Sequence, residues 1–560
     1  MFSVPRPRVI GGLSCALGLA LVGACGSGDG DSESSGDLSS TGIFIDSETD
    51  APEPICSPGA ISCQDSKTAQ VCVGAFKGWS PIPCGDRESC VVDQCIGPCD
   101  VAEETPSSEG CSFIAARMTH FYPSRNDAIV VGNTDKTESA NIMLWHAPDF
   151  VRKELLLEGP LTLAPGEIKI FNMDDAFVAG FNSGFRTGGI YRVESDFPIV
   201  AYQHSPLENS AGNDSSMLLP EHTLAQDYIV YSYPGFENTE DPPPDPEPHG
   251  RPSYFSVIAL DYDTTVTWVS KVDTDGDDFP VPYVKAGEEG RMVLNRYDIL
   301  QVAASDNEPD RGKRDVSGTV VHADKPVWVV GATRCAFVPF KNGYGYCDHL
   351  QEQMIPIERW GKAYVGAHSP TRYQEKHFWR VFAGEDNVTV WTEPKTDGTP
   401  FTLDKMGDYR ELVFDTGVSV VFRGSGPIMP VQYLAGSRED TNNIGDPSMY
   451  AMVPVEQFLE RYAFSTGVDY AINYVQVVRS QGGAEVRVDG VPVTGYYPVG
   501  DLYEVSDWQI DEGTHIAESD DPFGITNVGY TDPNNPDAVN GFTGSYAYPG
   551  GMGLQVINPL

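Results

Sequence analysis

Residues 220–228, 356–364 and 454–462 read PEHTLAQDY, PIERWGKAY and PVEQFLERY. In each, Pro and Tyr stand eight apart, an apolar or aromatic residue lies four after Pro, and a strand-like run follows. Upstream lies a second shared piece: Phe197-Pro198-Ile199-Val200, Lys325-Pro326-Val327-Trp328 and Gly426-Pro427-Ile428-Met429. A third starts each following unit. FSVIALDYDTTVTW (255–268) aligns with WRVFAGEDNVTVW (379–391), with weaker matches at 475–488 and 127–145. Self-similarity at a period of about 100–135 residues marks a repeat architecture. Residues 111–560 are therefore expected to hold about four copies, the last incomplete, with boundaries near 250, 373 and 470.

Between these signatures the chain is rich in Val, Ile, Tyr and Phe, as in DAIVVGN (127–133), PVWVVGA (326–332) and GVSVVFRG (417–424), separated by turns of Gly, Pro, Asn and Asp. That texture predicts an all-β region of repeated antiparallel, β-sandwich-like modules. A β-propeller is the alternative, since radial repetition gives similar texture. The best short helix candidates are EHTLAQD (221–227), HLQEQM (349–354) and VEQFLER (455–461).

Cys347-Asp348-His349 with Glu352 offers residue types that hold metals, but only the middle copy carries them. Its equivalents use Ser215-Ser216 and Ser448-Met449, so the architecture persists without the polar set. Two ligands on one helix face with no clear third do not specify a metal site. Cys335 and Cys347 are read as a disulfide closing RCAFVPFKNGYGYC. A calcium site is considered at VDTDGDDF (272–279), where Asp273, Asp275, Asp277 and Asp278 place hard oxygen donors around Gly276; no cofactor is required. A solvated hairpin loop is the plainer reading. The sequence has no Gly-x-Ser-x-Gly elbow, His-Glu-x-x-His, Walker loop or dinucleotide glycine pattern, so no catalytic residue is assigned and the chain is expected not to be an enzyme.

The N-terminus decides the expected compartment. Arg6 and Arg8 precede an apolar run from Val9 to Val22, then Gly23-Ala24-Cys25: the layout of a secretory signal over 1–24. The Leu21-Val22-Gly23-Ala24-Cys25 run resembles a bacterial lipobox, which implies lipidation of Cys25. Residues 25–50 contain seven acidic and no basic side chains and read as a lipid-anchored flexible tether. Ten cysteines then remain. Cys56, Cys63, Cys72, Cys84, Cys90, Cys95, Cys99 and Cys111 crowd into and against a module at 51–110 too small to fold on apolar burial alone, so disulfides are expected to staple it. With 80 acidic against 37 basic residues and a net charge of −43, the chain lacks the footprint of a nucleic-acid binder.

KPVWVVGATRC (325–335), YCDHLQEQMIPIERWGKAYVGAHSP (346–370) and FWRVFAGEDNVTVW (378–391), with DSSMLLPEHTLAQDYIVYSYP (214–234), resemble the N-terminal domain of the IgG Fc-binding protein family over roughly 111–500. The animal members bind immunoglobulin beside von Willebrand type D domains. Those cysteine-dense domains and their Gly-Asp-Pro-His motif are missing here; Gly445-Asp446-Pro447-Ser448 stops short of it. The expectation is a non-enzymatic envelope lipoprotein at the outer membrane, exposed on the cell surface, that binds or adheres to an extracellular or envelope protein or glycan. A periplasm-facing scaffold is the alternative, a secreted hydrolase a weaker one.

Overall fold

Proline has no amide hydrogen to give to a β-ladder, so a strand that runs through one must bend or end there. In the computed structural model, which describes residues 56–559 apart from 75–76, 121–124, 175–181, 208–211, 237–251, 277–279, 307–309, 341–346 and 534–542, that rule organises the whole β region. Strand Ile190–Ser205 passes through Pro198. Its first half pairs with Ala140–Ala147 and Gly110–Ala116, its second with Asp127–Gly132 and Asp214–Met217. Strand Val320–Ala336 does the same at Pro326. It joins Thr264–Val269 and Ala225–Ile229 to Ser253–Ala259 and Asp348–Gln353. In the third copy Pro427 breaks the strand outright into Val420–Gly424 and Ile428–Tyr433, which lie in two separate four-stranded sheets. The fourth copy, expected as incomplete on its weak match at 475–488, has the same strand, bent at Pro522 within Thr514–Tyr530.

Each copy is thus a small sandwich whose two sheets share one bent strand or, in the third copy, the two halves of a strand broken at Pro427. The repeated Tyr fixes the approach of the next copy. The Tyr228 hydroxyl accepts from Ala225 N at 2.8 Å and donates to Val327 O, directly after Pro326, at 2.8 Å. Tyr462 repeats this, accepting from Leu459 N at 2.8 Å and donating to Phe523 O, directly after Pro522. Tyr364 accepts from Gly361 N at 2.9 Å.

The four copies close into a ring. Each supplies one short axial strand: Asp214–Met217, Asp348–Gln353, Met449–Ala451 and Ser545–Pro549. The first packs on the second, the second on the third, the third on the fourth and the fourth on the first. Pairing of the two ends of the β region seals the ring: Ser108 N donates to Met552 O at 2.8 Å, and Leu554 N to Pro106 O at 2.9 Å. The arrangement has the radial order of a propeller, but its units are sandwiches rather than flat blades. One continuous apolar core runs from Ile114 to Leu554 through all four copies.

The helix candidates are corrected. Residues 348–353 form a strand buried on both faces, and at the other two places only Glu221–Thr223 and Val455–Gln457 form single 3₁₀ turns, followed by strands. In front of the ring, Ile61–Asp65, Thr68–Gly74 and Gly78–Pro83 make a three-stranded sheet beside a Ser89–Val91/Gln94–Ile96 hairpin and a short helix, Pro98–Glu104. Disulfides join Cys56 to Cys72, Cys63 to Cys90 and Cys84 to Cys95, and Cys99–Cys111 ties this module to the first strand of the ring.

Candidate functional site

Asp348, His349 and Glu352 lie on the second axial strand, fully buried at the centre of the ring. Cys335–Cys347 ties the end of strand Val320–Ala336 to the residue just before that axial strand. The His349 ring meets Thr333 O through Nδ1 at 2.9 Å and faces His120, which pairs with Asp127 at 2.9 Å. Glu352 accepts from Ser216 Oγ at 3.0 Å. Asp214, from the first copy, accepts from Ser448 Oγ of the third at 2.6 Å and from Gln351 N of the second at 3.0 Å. The serines at equivalent positions in the sequence are therefore partners in space.

Burial dictates the charge state here. It pushes the carboxyls of Asp214, Asp348 and Glu352 well above their ordinary range, with the Asp446 charge adding to the push on Asp348, and it lifts Asp446 to about 7. It also holds His349 down to about 3, helped by His120, and His204 down to about 4. Hydrogen bonds among these buried groups join the first, second and third copies.

One contact has the look of a nucleophile and base: Ser215 Oγ lies 2.7 Å from His204 Nδ1. Both groups are buried, and His204 faces Tyr546 and Tyr548 edge-on. Among the described residues no catalytic triad or similar active-site arrangement forms. The one described group of three metal-type side chains within reach of one another is Cys84, Glu88 and Cys95, and its two sulfurs are already bonded to each other. In the acidic loop, Asp273 braces its own hairpin, accepting from Ala286 N at 2.8 Å and from the Tyr283 hydroxyl, while Asp275 accepts from Gly276 N at 2.8 Å. Asp277, Asp278 and Cys25 lie outside the described residues.

Among the described residues, an open cleft of about 700 Å³ lies at the seam between the first and second copies. Trp145 and Arg192 face each other across neighbouring strands, the guanidinium 5.9 Å from the indole. Glu154 holds Arg192 through both carboxylate oxygens at 2.6 and 3.2 Å. Arg152 crosses the seam to Asp298 of the second copy, at 2.6 and 2.9 Å, and to Thr187 at 3.2 Å. Arg296 lies over the ring of Tyr297, whose φ of 64° turns the chain between two strands and carries both side chains to the wall. Phe150, Lys153 and Tyr262 complete the lining. No motif flags these residues in the sequence. The available signal was WHAPDFVRKE (145–154), a cluster of aromatic and basic side chains in a strongly acidic chain.

Comparison with known proteins gives two findings. The family described as IgGFc binding protein matches residues 214–529, more than half of the chain, starting at the first axial strand. The human IgGFc-binding protein is 25% identical over 282 residues, covering 48% of this chain and 4% of its own length. The chain therefore spans only a small part of that relative.

Proposed function

The chain belongs to the IgGFc-binding protein family, and from that premise we propose that it is a non-enzymatic binding protein displayed outside the cytoplasm, anchored by lipid on Cys25 in the outer membrane and facing outward. Its partner in this reading is an extracellular or envelope protein or glycan. The observation that carries the proposal is the contrast between interior and surface. The polar residues with catalytic chemistry are buried as structural glue, while an open cleft with aromatic and cationic walls sits on a closed, disulfide-tied scaffold. Rigid scaffolds of stacked modules commonly bind through such surface features. Five disulfides suit an oxidising compartment.

Protease digestion of intact cells, beside a Cys25→Ala control and mass analysis of the N-terminus, tests the placement. Digestion of the wild-type chain and a lipid-modified Cys25 are expected, with release of the Cys25→Ala chain into the medium. Protection until the envelope is opened would replace this reading with a periplasm-facing scaffold. Purified protein is expected to bind envelope or extracellular material without turning over polysaccharides or peptides.

A further inference from the structure

We propose that the cleft between the first and second copies binds an anionic saccharide, a chain of sugar rings carrying carboxylate or sulfate groups; this deepens the binding role proposed above and rests on it. Charge comes first. On a chain of net charge −43, the cleft is lined by Arg152, Lys153, Arg192 and Arg296, which outnumber the carboxylates beside them: Glu154 in the lining, Asp298 behind Arg152 and Glu194 3.6 Å from Arg192. An anion repelled by the rest of the surface is steered here.

The cations are also divided in role. Arg192 and Arg152 are held by Glu154 and Asp298, so they are fixed in place and largely compensated. Lys153 is exposed and has no partner among the described residues, and the Arg296 side chain is 42% exposed, donating through Nη2 to the Tyr297 hydroxyl at 2.6 Å and lying 3.8 Å from Glu154. Lys153 keeps its donors for an incoming oxyanion, and Arg296 places an exposed, positioned positive charge beside it. A guanidinium already fixed against a tyrosine ring loses little freedom when it accepts a planar carboxylate or a sulfate.

Beside the cations stand aromatic faces in contact with water: Tyr262 is 52% and Phe150 80% exposed. A sugar ring presents a flat array of C–H groups on one face and hydroxyls at its rim. The first packs on an aromatic plane, and the second suits a wet, open cleft. An acidic peptide would find matching charge but not matching backbone. Residues 150–154, 262 and 296–297 lie outside the strands, and Trp145 and Arg192 lie on strands paired on both sides, so the lining offers no free strand edge on which an extended peptide could pair.

Calorimetry on the purified chain would use four probes: tetragalacturonate, a sulfated galactan tetrasaccharide without uronate, neutral maltotetraose and octaglutamate. At least one acidic sugar is expected to bind ten-fold or more tighter than maltotetraose and octaglutamate, and to weaken as salt rises. Preference for the first sugar assigns a carboxylate ligand, for the second a sulfate. Lys153→Glu is expected to weaken that binding at least ten-fold and Tyr262→Ala at least five-fold, both with an unchanged thermal midpoint because both side chains are exposed. Equal binding of neutral and acidic sugars, no binding of either acidic sugar, tighter binding of octaglutamate, or indifference to Lys153→Glu would each overturn the proposal. Envelope binding measured on the same variant separates the two readings, since loss of the sugar site with retained envelope binding removes only this inference.

Discussion

Arg380 shows what a single side chain does in this ring. It is 4% exposed, lies between the second and third copies, and donates to Asp315 at 2.6 Å, Ser232 O at 3.0 Å and Ser317 Oγ at 3.1 Å, with the rings of Tyr233, Tyr409 and Tyr433 around its guanidinium. Removing one partner of a buried ion pair leaves the other uncompensated, at a cost of about 3–5 kcal/mol. Arg380→Ala should lower stability by that amount in urea unfolding, and Arg380→Met with Asp315→Leu should recover part of it. A loss below about 1 kcal/mol for the single variant would show that Asp315 finds water instead. Tyr228 and Tyr462 act by a different route, since each hydroxyl satisfies one backbone donor and one backbone acceptor. Tyr→Phe at either site strands both groups and should cost about 1–3 kcal/mol. The same change at exposed Tyr373 serves as the control and should cost almost nothing.

At the scale of the element, the sequence was most legible where a residue type has only one use. Pro in the middle of a strand-like run, followed some twenty to thirty residues later by Pro-x₇-Tyr, was visible in three copies, and it proves to mark the bent strand and the corner tyrosine. The helix at 349–354 was misread because Leu, Gln, Glu and Met favour helices. Burial of every residue from Asp348 to Gln353 between neighbouring copies overrides that local preference. The fourth copy was legible only as an incomplete one, through the weak match at 475–488, because Pro522 is not followed twenty to thirty residues later by a Pro-x₇-Tyr that would mark its bent strand. The cleft was illegible because its walls come from strands and loops of two copies, with Trp145 and Arg296 over a hundred residues apart in the chain. Gly361 was read only as part of a motif, and the structure supplies its reason. A Cβ there would lie 2.4 Å from Pro454 Cβ and 2.6 Å from Glu456 Oε2, so the absent side chain lets the third and fourth copies meet. Gly110 stands in the same relation to Pro220, with 2.5 Å to its Cβ. Gly361→Ala should therefore destabilise by about 1–3 kcal/mol through overpacking. An unchanged thermal midpoint would mean that the seam relaxes freely.

For the whole molecule, the ring concentrates buried acids and bases on its axis, so pH acts on closure from two sides. A carboxyl raised by burial keeps its proton in the folded state while the unfolded chain releases it. Stability from such a group is complete below about pH 4 and is lost as pH rises through the folded value. For Asp446 that window runs from about 4 to the folded value of about 7. Buried histidines run the other way. His204 and His349, depressed to about 4 and about 3, contribute stability above about pH 6.5 that is lost as pH falls through those values. Between pH 4 and 6.5 the two trends oppose, so the wild-type curve should be shallow there and the acid groups must be isolated by substitution. Asp446→Asn keeps an acceptor for the Thr543 hydroxyl, which donates to Asp446 at 2.8 Å, and removes the ionisation. Relative to wild type, its stability should rise by up to about 1.4 kcal/mol per pH unit from pH 4 to 7 and then stay level. Urea unfolding at half-unit pH steps reads this directly. Parallel curves for the two proteins would mean that Asp446 titrates in the ring as it does in the unfolded chain, and that the axis holds its copies together by packing and neutral hydrogen bonds alone.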